Sequence, residues 1–559
     1  MSEAQTIGNH ESNEIHKGPI LGVLIFGAFA AILNQTLLNV AIPHLMTAFN
    51  VSADTVQWLS TGYMLTNGVL VPITAFLIGT FTTRQLFITA MSSFTLGSLI
   101  CSVAPSFTIM MLGRVVQAAG AGVMMPLMMT VVLNLYPPEV RGKAMGTIGI
   151  AMFFAPAVGP TLSGWMLENW SWRLLFYVVI PLAILDIILA MVYLKNVTER
   201  SKPTFDTLGF ITSTLGFGGL LYGFSEAGNK GWGSGEVRVS LILGVVFIIL
   251  FIIREFTAKK PMLNLRVFKY GRFSLSAAVS SVVNMAMFGG AILTPIYIQN
   301  IRGYTSLQSG LLLLPGAILM GIMSPVSGAL LDRIGIRPLA IVGLLITVIT
   351  TYQFTHLTMT TSYSHVMVLY TFRMFGMSFL AMTIMTFGLN ALPRQLNSHG
   401  TAASNTVRMI AGSIGTAFLV TTMTNQSYVH YGRMADSLSL FNPQFSNIIN
   451  GISQAAANAL GVPLQQGTST ATELIYGMVM QRATVSGIND AYLVATGLSA
   501  LALFMALFLR RPKADADAAK ERRRRQKAGA DAPSPTPSPA RALPASMTRT
   551  LPPARQTDY

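Results

Sequence analysis

Apolar residues run along this chain in blocks of about twenty, each closed by a short polar or glycine-rich stretch, from residue 19 to residue 510. A helix of that length crosses a hydrocarbon layer with all its backbone hydrogen bonds satisfied internally. Windows of about 19 residues predict helices over 19–41, 56–79, 85–105, 107–135, 141–167 and 173–195. Two more follow over 207–227 and 238–254, then a last group over 273–299, 306–331, 338–358, 363–391, 399–424 and 488–510. The reading is an all-α polytopic membrane protein with fourteen spanning helices.

The first block is interrupted where it should be most apolar. Phe29 to Pro43 reads FAAILNQTLLNVAIP and carries Asn34, Gln35, Thr36 and Asn39 in mid-segment. Gln35 and Asn39 are four apart and share one helix face. Polar side chains inside hydrocarbon are costly unless they face a bundle interior or a wet cavity. The fourth block adds Arg114, in MLGRVVQAAGAGVMM. Arg114 and Asn34 each sit about seven residues from the outer end of their helices, roughly 10 Å deep. An arginine there needs acceptors, and Asn34, Gln35 or carbonyls of the first helix are the candidates. This is the arrangement of a transport pathway; a purely structural anchor between helices is the alternative.

Composition agrees with the pattern. Only 10% of residues are charged and 52% are hydrophobic, where soluble domains carry about 25% charged residues; mean hydropathy is +0.55. The net charge of +16 belongs to loops rather than to a nucleic-acid surface. Connections after even-numbered helices carry Arg84, Arg141, Lys143, Lys195, Arg200, Lys202, Arg254, Lys259, Lys260, Arg266, Lys269, Arg272, Arg333, Arg337 and Arg394. Those after odd-numbered helices are poor in cations beyond Lys230, Arg238, Arg302, Arg433 and Arg482. That alternation places both termini in the cytoplasm of a bacterial cell membrane. Residues 1–18, with Glu3, Glu11 and Glu14, do not read as a secretory n-region, so the first apolar block is expected to stay as a span. The lone Cys101 excludes an internal disulfide and a cysteine metal cluster. Seven histidines are scattered without an HExxH pair and no P-loop is present, which argues against a membrane enzyme and against ATP-driven export.

Other segments carry their own expectations. The stretch 425–487 reads as a long extracellular loop with short amphipathic helices, around Ile448, Ile452, Leu474 and Met478. Residues 511–559 read as a basic disordered tail, with Arg522–Arg525 near anionic lipid. The fifth block, GIAMFFAPAVGPTLSG, holds Gly149, Pro156, Gly159, Pro160 and Gly164. Small residues allow close packing and the prolines bend the helix, giving either a hinge or ordinary kinked packing. The loop GALLDRIGIRP, with Gly328, Asp332, Arg333, Gly335 and Arg337, suits a latch formed when the inner side closes; a topology-setting basic loop is the alternative. Acids inside spans are few. Asp186 lies about thirteen residues into the sixth helix, roughly 20 Å deep, and is a candidate proton carrier or a hydrogen-bonded neutral acid. Glu226 sits near the outer end of the seventh. Arg373 and Arg408 stand inside the twelfth and thirteenth helices, with a cavity role and a structural role both open.

On these residues the chain resembles the fourteen-helix drug:proton antiporter family of the major facilitator superfamily, the EmrB/QacA type. Arg114, Gln117 and Gly120 match the R-x-x-Q-x-x-G motif of its helix 4. Gly159, Pro160 and Gly164 match its antiporter motif, with Ser163 where a glycine is usual, and WSWRLLF (Trp170 to Phe176) resembles the segment that follows. Pro295 to Gly316, Gly328 to Pro338 and Asn405 to Ala417 resemble its second half. Helix 1 is similar to Gram-positive lincomycin-resistance-type exporters, but LNQTLLNVAIP has Asn34 where the family pattern has aspartate. Asparagine does not titrate, so the coupling proton is sought at Asp186 or Glu226. FLIGTFTTRQLF keeps Gly79 and Arg84 of the first-half cytoplasmic motif but lacks its acid, which leaves Asp332 as the better latch.

The resemblance implies two six-helix bundles, 19–195 and 263–510, a two-helix insertion over 196–262, and a substrate cavity between the bundles near the bilayer midplane. Candidate cavity residues are Asn39, Trp58, Tyr63, Thr66, Asn67, Met125, Asn284, Tyr297, Arg373 and Arg408. Methionines 124, 128 and 129 on helix 4, and 374, 377, 382 and 385 on helix 12, offer adaptable walls. The expected function is export of amphipathic drug-like compounds by alternating access, as a proton antiporter working as a monomer, with no metal or cofactor. The alternative is export of an endogenous metabolite, lipid or signalling molecule, with drug extrusion incidental.

Overall fold

The structure is a computed structural model that describes residues 17–198, 205–258, 261–437 and 443–509. Among the described residues it is helical throughout, with no strand. The first half comprises α1 (Lys17–Phe49), α2 (Ala53–Leu70) with α3 (Thr74–Thr80), α4 (Thr83–Ser102), α5 (Phe107–Leu135), α6 (Arg141–Asn169) and α7 (Leu174–Tyr193). An inserted pair follows, α8 (Thr207–Lys230) and α9 (Gly235–Thr257). The second half comprises α10 (Gly271–Ile296), α11 (Ser306–Ile334), α12 (Ile336–Gln353), α13 (Tyr363–Ser378) with α14 (Thr383–Leu389), α15 (Asn397–Ser437), α16 (Pro443–Leu460) and α17 (Leu464–Ala506). Thirteen helices are long and apolar enough to span a membrane, or fourteen when the bent pair α2 and α3 counts as one.

Local chemistry explains many ends. Thr82 with Gln85, and Thr305 with Gln308, form reciprocal capping boxes at the starts of α4 and α11. Ser52, Ser106, Asp206 and Ser362 cap α2, α5, α8 and α13 with their side-chain oxygens. The predicted helix 56–79 is bent by 55° at its middle, where Pro72 lacks the N–H that would continue the ladder. The predicted helix 363–391 is likewise divided, with a turn over 379–382.

One expectation is corrected in part. The stretch 425–487 does hold a short helix over Ile448 and Ile452, α16, but α15 and α17 run on without a break into its two ends, the latter through Leu474 and Met478. The 43 residues of α17 reach about 64 Å at 1.5 Å per residue, roughly twice a hydrocarbon core. The C-terminal part of α15 is tied to α17 by His430 Nε2 to Asp490 Oδ2 at 2.8 Å and by Tyr431 against Tyr476, and α16 packs on α17. The tail 511–559 and the loop cations Arg200, Lys202, Lys259 and Lys260 lie outside the described residues.

Packing follows composition. Each half has its own apolar core, one around Met91, Phe94, Met128 and Phe176, the other around Leu312, Leu344, Met377 and Tyr492. α6 lies along α11 to form the main seam between the halves, and α8 packs against both α2 and α15. α9 presents Ile242, Ile249 and Ile253 outward, as a lipid-facing helix should.

Candidate functional site

The polar centre of the first half is built around Arg114, which is fully buried. Its Nη1 donates to Asn34 Oδ1 at 2.9 Å and to Gln117 Oε1 at 2.5 Å, and its Nε donates to the Leu59 carbonyl at 3.2 Å. Gln117 passes the chain on, donating to Ser98 Oγ at 2.7 Å. The guanidinium stacks over the Tyr63 ring at 4.1 Å, a cation–π contact strengthened by desolvation. No carboxylate takes part. Four elements, α1, α2, α4 and α5, are thus joined through one cation held by neutral acceptors. Asn34 is the acceptor that the sequence pointed to; the backbone acceptor comes from α2 rather than α1. Gln35 is half-buried and outside this network.

The second half holds a counterpart on its own fourth span. Arg373 is fully buried; its Nη2 donates to the Ala286 carbonyl at 2.8 Å and its Nε to Thr351 Oγ1 at 3.2 Å. It braces α10, α12 and α13 and does not line the cavity between the halves, which corrects its expected place there.

Asp186 is fully buried on α7, and neither carboxyl oxygen has a hydrogen-bond partner among the described residues. It faces Gly27 of α1 so closely that a Cβ at Gly27 would overlap Asp186 Oδ2, with Phe87 closing the other side. An ionised carboxylate in that socket is an uncompensated charge, costing several kcal/mol. Glu226, by contrast, pairs with Lys230 at 3.5 Å, and Lys230 pairs with Glu236 at 2.5 Å, at the end of α8.

The halves are fastened to each other at one end. Asp332 Oδ1 accepts the Gly142 N–H at 2.9 Å and Oδ2 accepts the Lys143 N–H at 3.0 Å, so the carboxylate sits on the positive end of α6. Gly328 and Gly142 meet backbone to backbone, with no space for a Cβ on either. Arg141 Nη1 donates to Asn390 Oδ1 at 3.0 Å, Asn397 Nδ2 to Asn134 Oδ1 at 3.2 Å, and the Thr130 and Thr401 hydroxyls are 2.9 Å apart. Lys17 lies over the Tyr136 ring, so the start of α1 is at this same end. Gly335, with φ 86°, makes the turn from α11 to α12; Arg333 and Arg337 bracket it and are exposed. Further along α6, Gly159 lets Thr36 of α1 approach and Ser163 Oγ donates to the Leu37 carbonyl at 2.7 Å, while across the seam Pro160 meets Gly310 and Gly164 meets Leu307. Ser163 therefore fastens α6 to α1 where a glycine would not.

A cavity lies at this seam, with walls from Met152 and Phe153 of α6, Val283, Asn284 and Met287 of α10, Leu380 and Ile384, and Arg408 of α15. A small second hollow, walled by the second half alone, adjoins it through Ser280 and Arg408 and reaches Ser276, Met385 and Ser404. Of the expected cavity residues, Asn284 and Arg408 line it. Tyr63 is buried beneath Arg114; Trp58 stacks on Tyr222 of the inserted pair at 5.5 Å; Tyr297 is buried with its hydroxyl on the Thr358 carbonyl at 2.6 Å. Asn67 faces Gly122 of α5, and Met125 packs against the first core. Methionines 124, 128, 129, 374, 377 and 382 are core. The side chain of Asn39 lies outside the described residues. The walls from Met152, Phe153 and Met287 were missed. Ser276, Ser280 and Asn284 were readable as a polar stripe four residues apart.

The model of the Major Facilitator Superfamily matches residues 24–416. The MFS-type transporter YhcA of Bacillus subtilis is 51% identical over 509 residues, 90% of this chain and 95% of the relative. The lincomycin resistance protein LmrB of the same organism is 39% identical over 499 residues, 89% of this chain and 96% of the relative. The human organic anion transporter MFSD10 has the same fold at a TM-score of 0.59, covering 87% of this chain and 99% of its own, and at 10% identity that likeness concerns the fold alone. The chain belongs to the Major Facilitator Superfamily and is a multi-pass transporter of the bacterial cytoplasmic membrane.

Proposed function

We propose that this superfamily member exports amphipathic drug-like compounds by alternating access, as a monomer, exchanging each for a proton carried by Asp186. The observation that carries the coupling is the Asp186 socket. A carboxyl with both oxygens unpartnered, fully buried against Gly27, can ionise only when a change in the α1–α7 interface admits water or a cation. Loading and release of one proton are thereby tied to helix movement. Asn34, which cannot titrate, leaves Arg114 with a constant neutral partner and takes no part in proton exchange.

The gate is the second support. By the loop charges, the fastened end is the cytoplasmic one. Asp332, Arg141, Asn134 and Thr130 close it beneath the cavity with bonds that are each modest, about 1 kcal/mol. Such bonds can be broken in every cycle, as a gate requires. The inserted pair lies against α2 and α15.

Transport in inverted membrane vesicles tests the reading. An imposed proton gradient should drive uptake of a fluorescent amphipathic dye, and collapse of the gradient should stop it. Dye movement indifferent to the gradient would exclude proton exchange. Extracts of a deletion strain that accumulate a cellular metabolite, with dye export unchanged, would favour an endogenous substrate instead.

A further inference from the structure

Arg408 is the one charged side chain in the walls of the two adjoining hollows, the larger at the seam and the smaller within the second half. It makes no hydrogen bond and belongs to none of the ion pairs found among the described residues. That sets it apart from Arg114 and Arg373, which are held by carbonyl, amide and hydroxyl acceptors, although Arg114 Nη2 and Arg373 Nη1 have none. A second observation points to the same place. Ser276 is 2% exposed, and its hydroxyl, in the wall of the smaller hollow beside Arg408, has no partner. Ser280 Oγ, shared by both hollows, accepts from Asn284 Nδ2 at 3.3 Å, which leaves its own hydrogen free to donate. The site therefore offers donors and a positive charge with no carboxylate to answer them. Ser276 is buried, and a buried donor left in that state is costly unless something accepts from it; Arg408 is half-buried and opens into the hollows. Beyond Arg408 the larger hollow turns apolar, with Met152, Phe153, Val283 and Met287 as its walls.

We propose that this cavity selects amphipathic organic anions. A carboxylate, sulfonate or phosphate group is held by Arg408, Ser276 and Ser280, and an aromatic or branched apolar body lies among Met152, Phe153, Val283 and Met287. The proposal rests on the transport reading above only in naming the seam as the substrate site; it does not depend on how the cycle is energised.

Equilibrium binding to the full chain in nanodiscs, without any proton gradient, tests it. The probes are three naphthalene compounds of one shape, bearing a sulfonate, a hydroxymethyl or an aminomethyl group. The sulfonate should bind about tenfold tighter than the neutral compound, as expected for a charge-assisted hydrogen bond, and the amine weakest. Arg408→Gln should erase the preference for the sulfonate while leaving the neutral affinity within about twofold, which also shows the cavity intact; Ser276→Ala should weaken the sulfonate by a smaller factor, about threefold. Equal or tighter binding of the amine, or an undiminished preference in Arg408→Gln, overturns the proposal. If Arg408→Gln fails to fold, the probe ranking on the native chain and the Ser276→Ala result decide. Discs of phosphatidylglycerol against discs of phosphatidylcholine separate the sources of the anion: equal sulfonate affinity in both means a free solute, and competition in the former means a lipid headgroup. Failure of proton-driven transport in vesicles leaves this result untouched, and the reverse also holds.

Discussion

The carboxylate of Asp332 accepts the backbone N–H of Gly142 at 2.9 Å, so a residue at the end of α11 in one half caps the first turn of α6 in the other. The next N–H, of Lys143, is taken by the second oxygen at 3.0 Å. A helix start holds unsatisfied donors and a partial positive charge, and here both are answered across the seam between the halves. The cap exists only while that end is closed.

Replacing Asp332 with alanine should therefore destabilise the closed state alone. The loss is about 1 kcal/mol, as for other N-terminal caps, and moves the gate about fivefold toward opening. Labelling rates of cysteines introduced near Asn390 in a Cys101→Ser background measure this. An unchanged rate would mean that the cap contributes nothing to closure.

Gly328 makes a sharper test of the same gate. A methyl group there would meet the Gly142 carbonyl, whereas Gly321, two turns earlier on the same helix, has open space around it. Gly328→Ala should reduce transport at least about tenfold with normal insertion, and Gly321→Ala should leave transport unaltered. Equal effects of the two would remove the close approach from the mechanism.

Arg114→Ala leaves Asn34, Gln117 and the Leu59 carbonyl without their shared donor. The stability cost is about 2–4 kcal/mol, read as a lower melting temperature in detergent, with loss of export. Arg114→Lys keeps the charge but cannot serve three acceptors and the Tyr63 ring together, so it should recover little. Full export by the lysine variant would make the charge alone sufficient.

Asp186→Asn keeps the shape of the side chain in its socket against Gly27 and removes the ionisable group. It should abolish proton-driven accumulation, retain downhill substrate flux, and leave the melting temperature unchanged or raised. Proton-driven uptake at the native rate would dismiss Asp186 as the carrier.

Outside the spans, Asp206 ties the start of α8 to α9. Burial pushes its carboxyl up, but hydrogen bonds from Arg254 and from the Gly209 N–H, with the charge of Arg254, bring it below the ordinary carboxylate value. A lowered folded-state value means stability that is fully present above the unfolded value, about 3.9. It is lost as pH falls through that value toward the folded one. The melting temperature of the native chain should drop over this acid range, and that of Asp206→Asn should start lower at neutral pH and drop less. Parallel curves would show that the pair does not couple to folding.

Much of this molecule was legible in the chain. The spans were readable because lipid demands long apolar helices, and Arg114 with Asn34 because polar side chains at that depth need each other. Other features were not. The Leu59 carbonyl has no signature, since every residue has one. Tyr63, Trp58 and Tyr297 looked like cavity residues because aromatic and polar side chains on a span look alike from whichever side they face. The rings of Tyr63 and Trp58 instead meet Arg114 and Tyr222, and the Tyr297 hydroxyl donates to the Thr358 carbonyl. The bend at Pro72 was within reach of sequence reasoning; the run of α15 and α17 beyond the bilayer was hidden by polar residues that also occur in loops.

The sequence by itself determined the membrane class, the number of spans, the absence of a titratable group at position 34 and the short list of buried charges, because hydrocarbon filters composition residue by residue. Which of those charges are spent and which remain free was decided only by the tertiary structure. Rotation of each helix about its axis sets whether a side chain meets an acceptor, a core or a cavity. Arg114, Arg373 and Arg408 are indistinguishable as letters in apolar runs. Only the packing of α10, α14 and α15 leaves the third one facing open space.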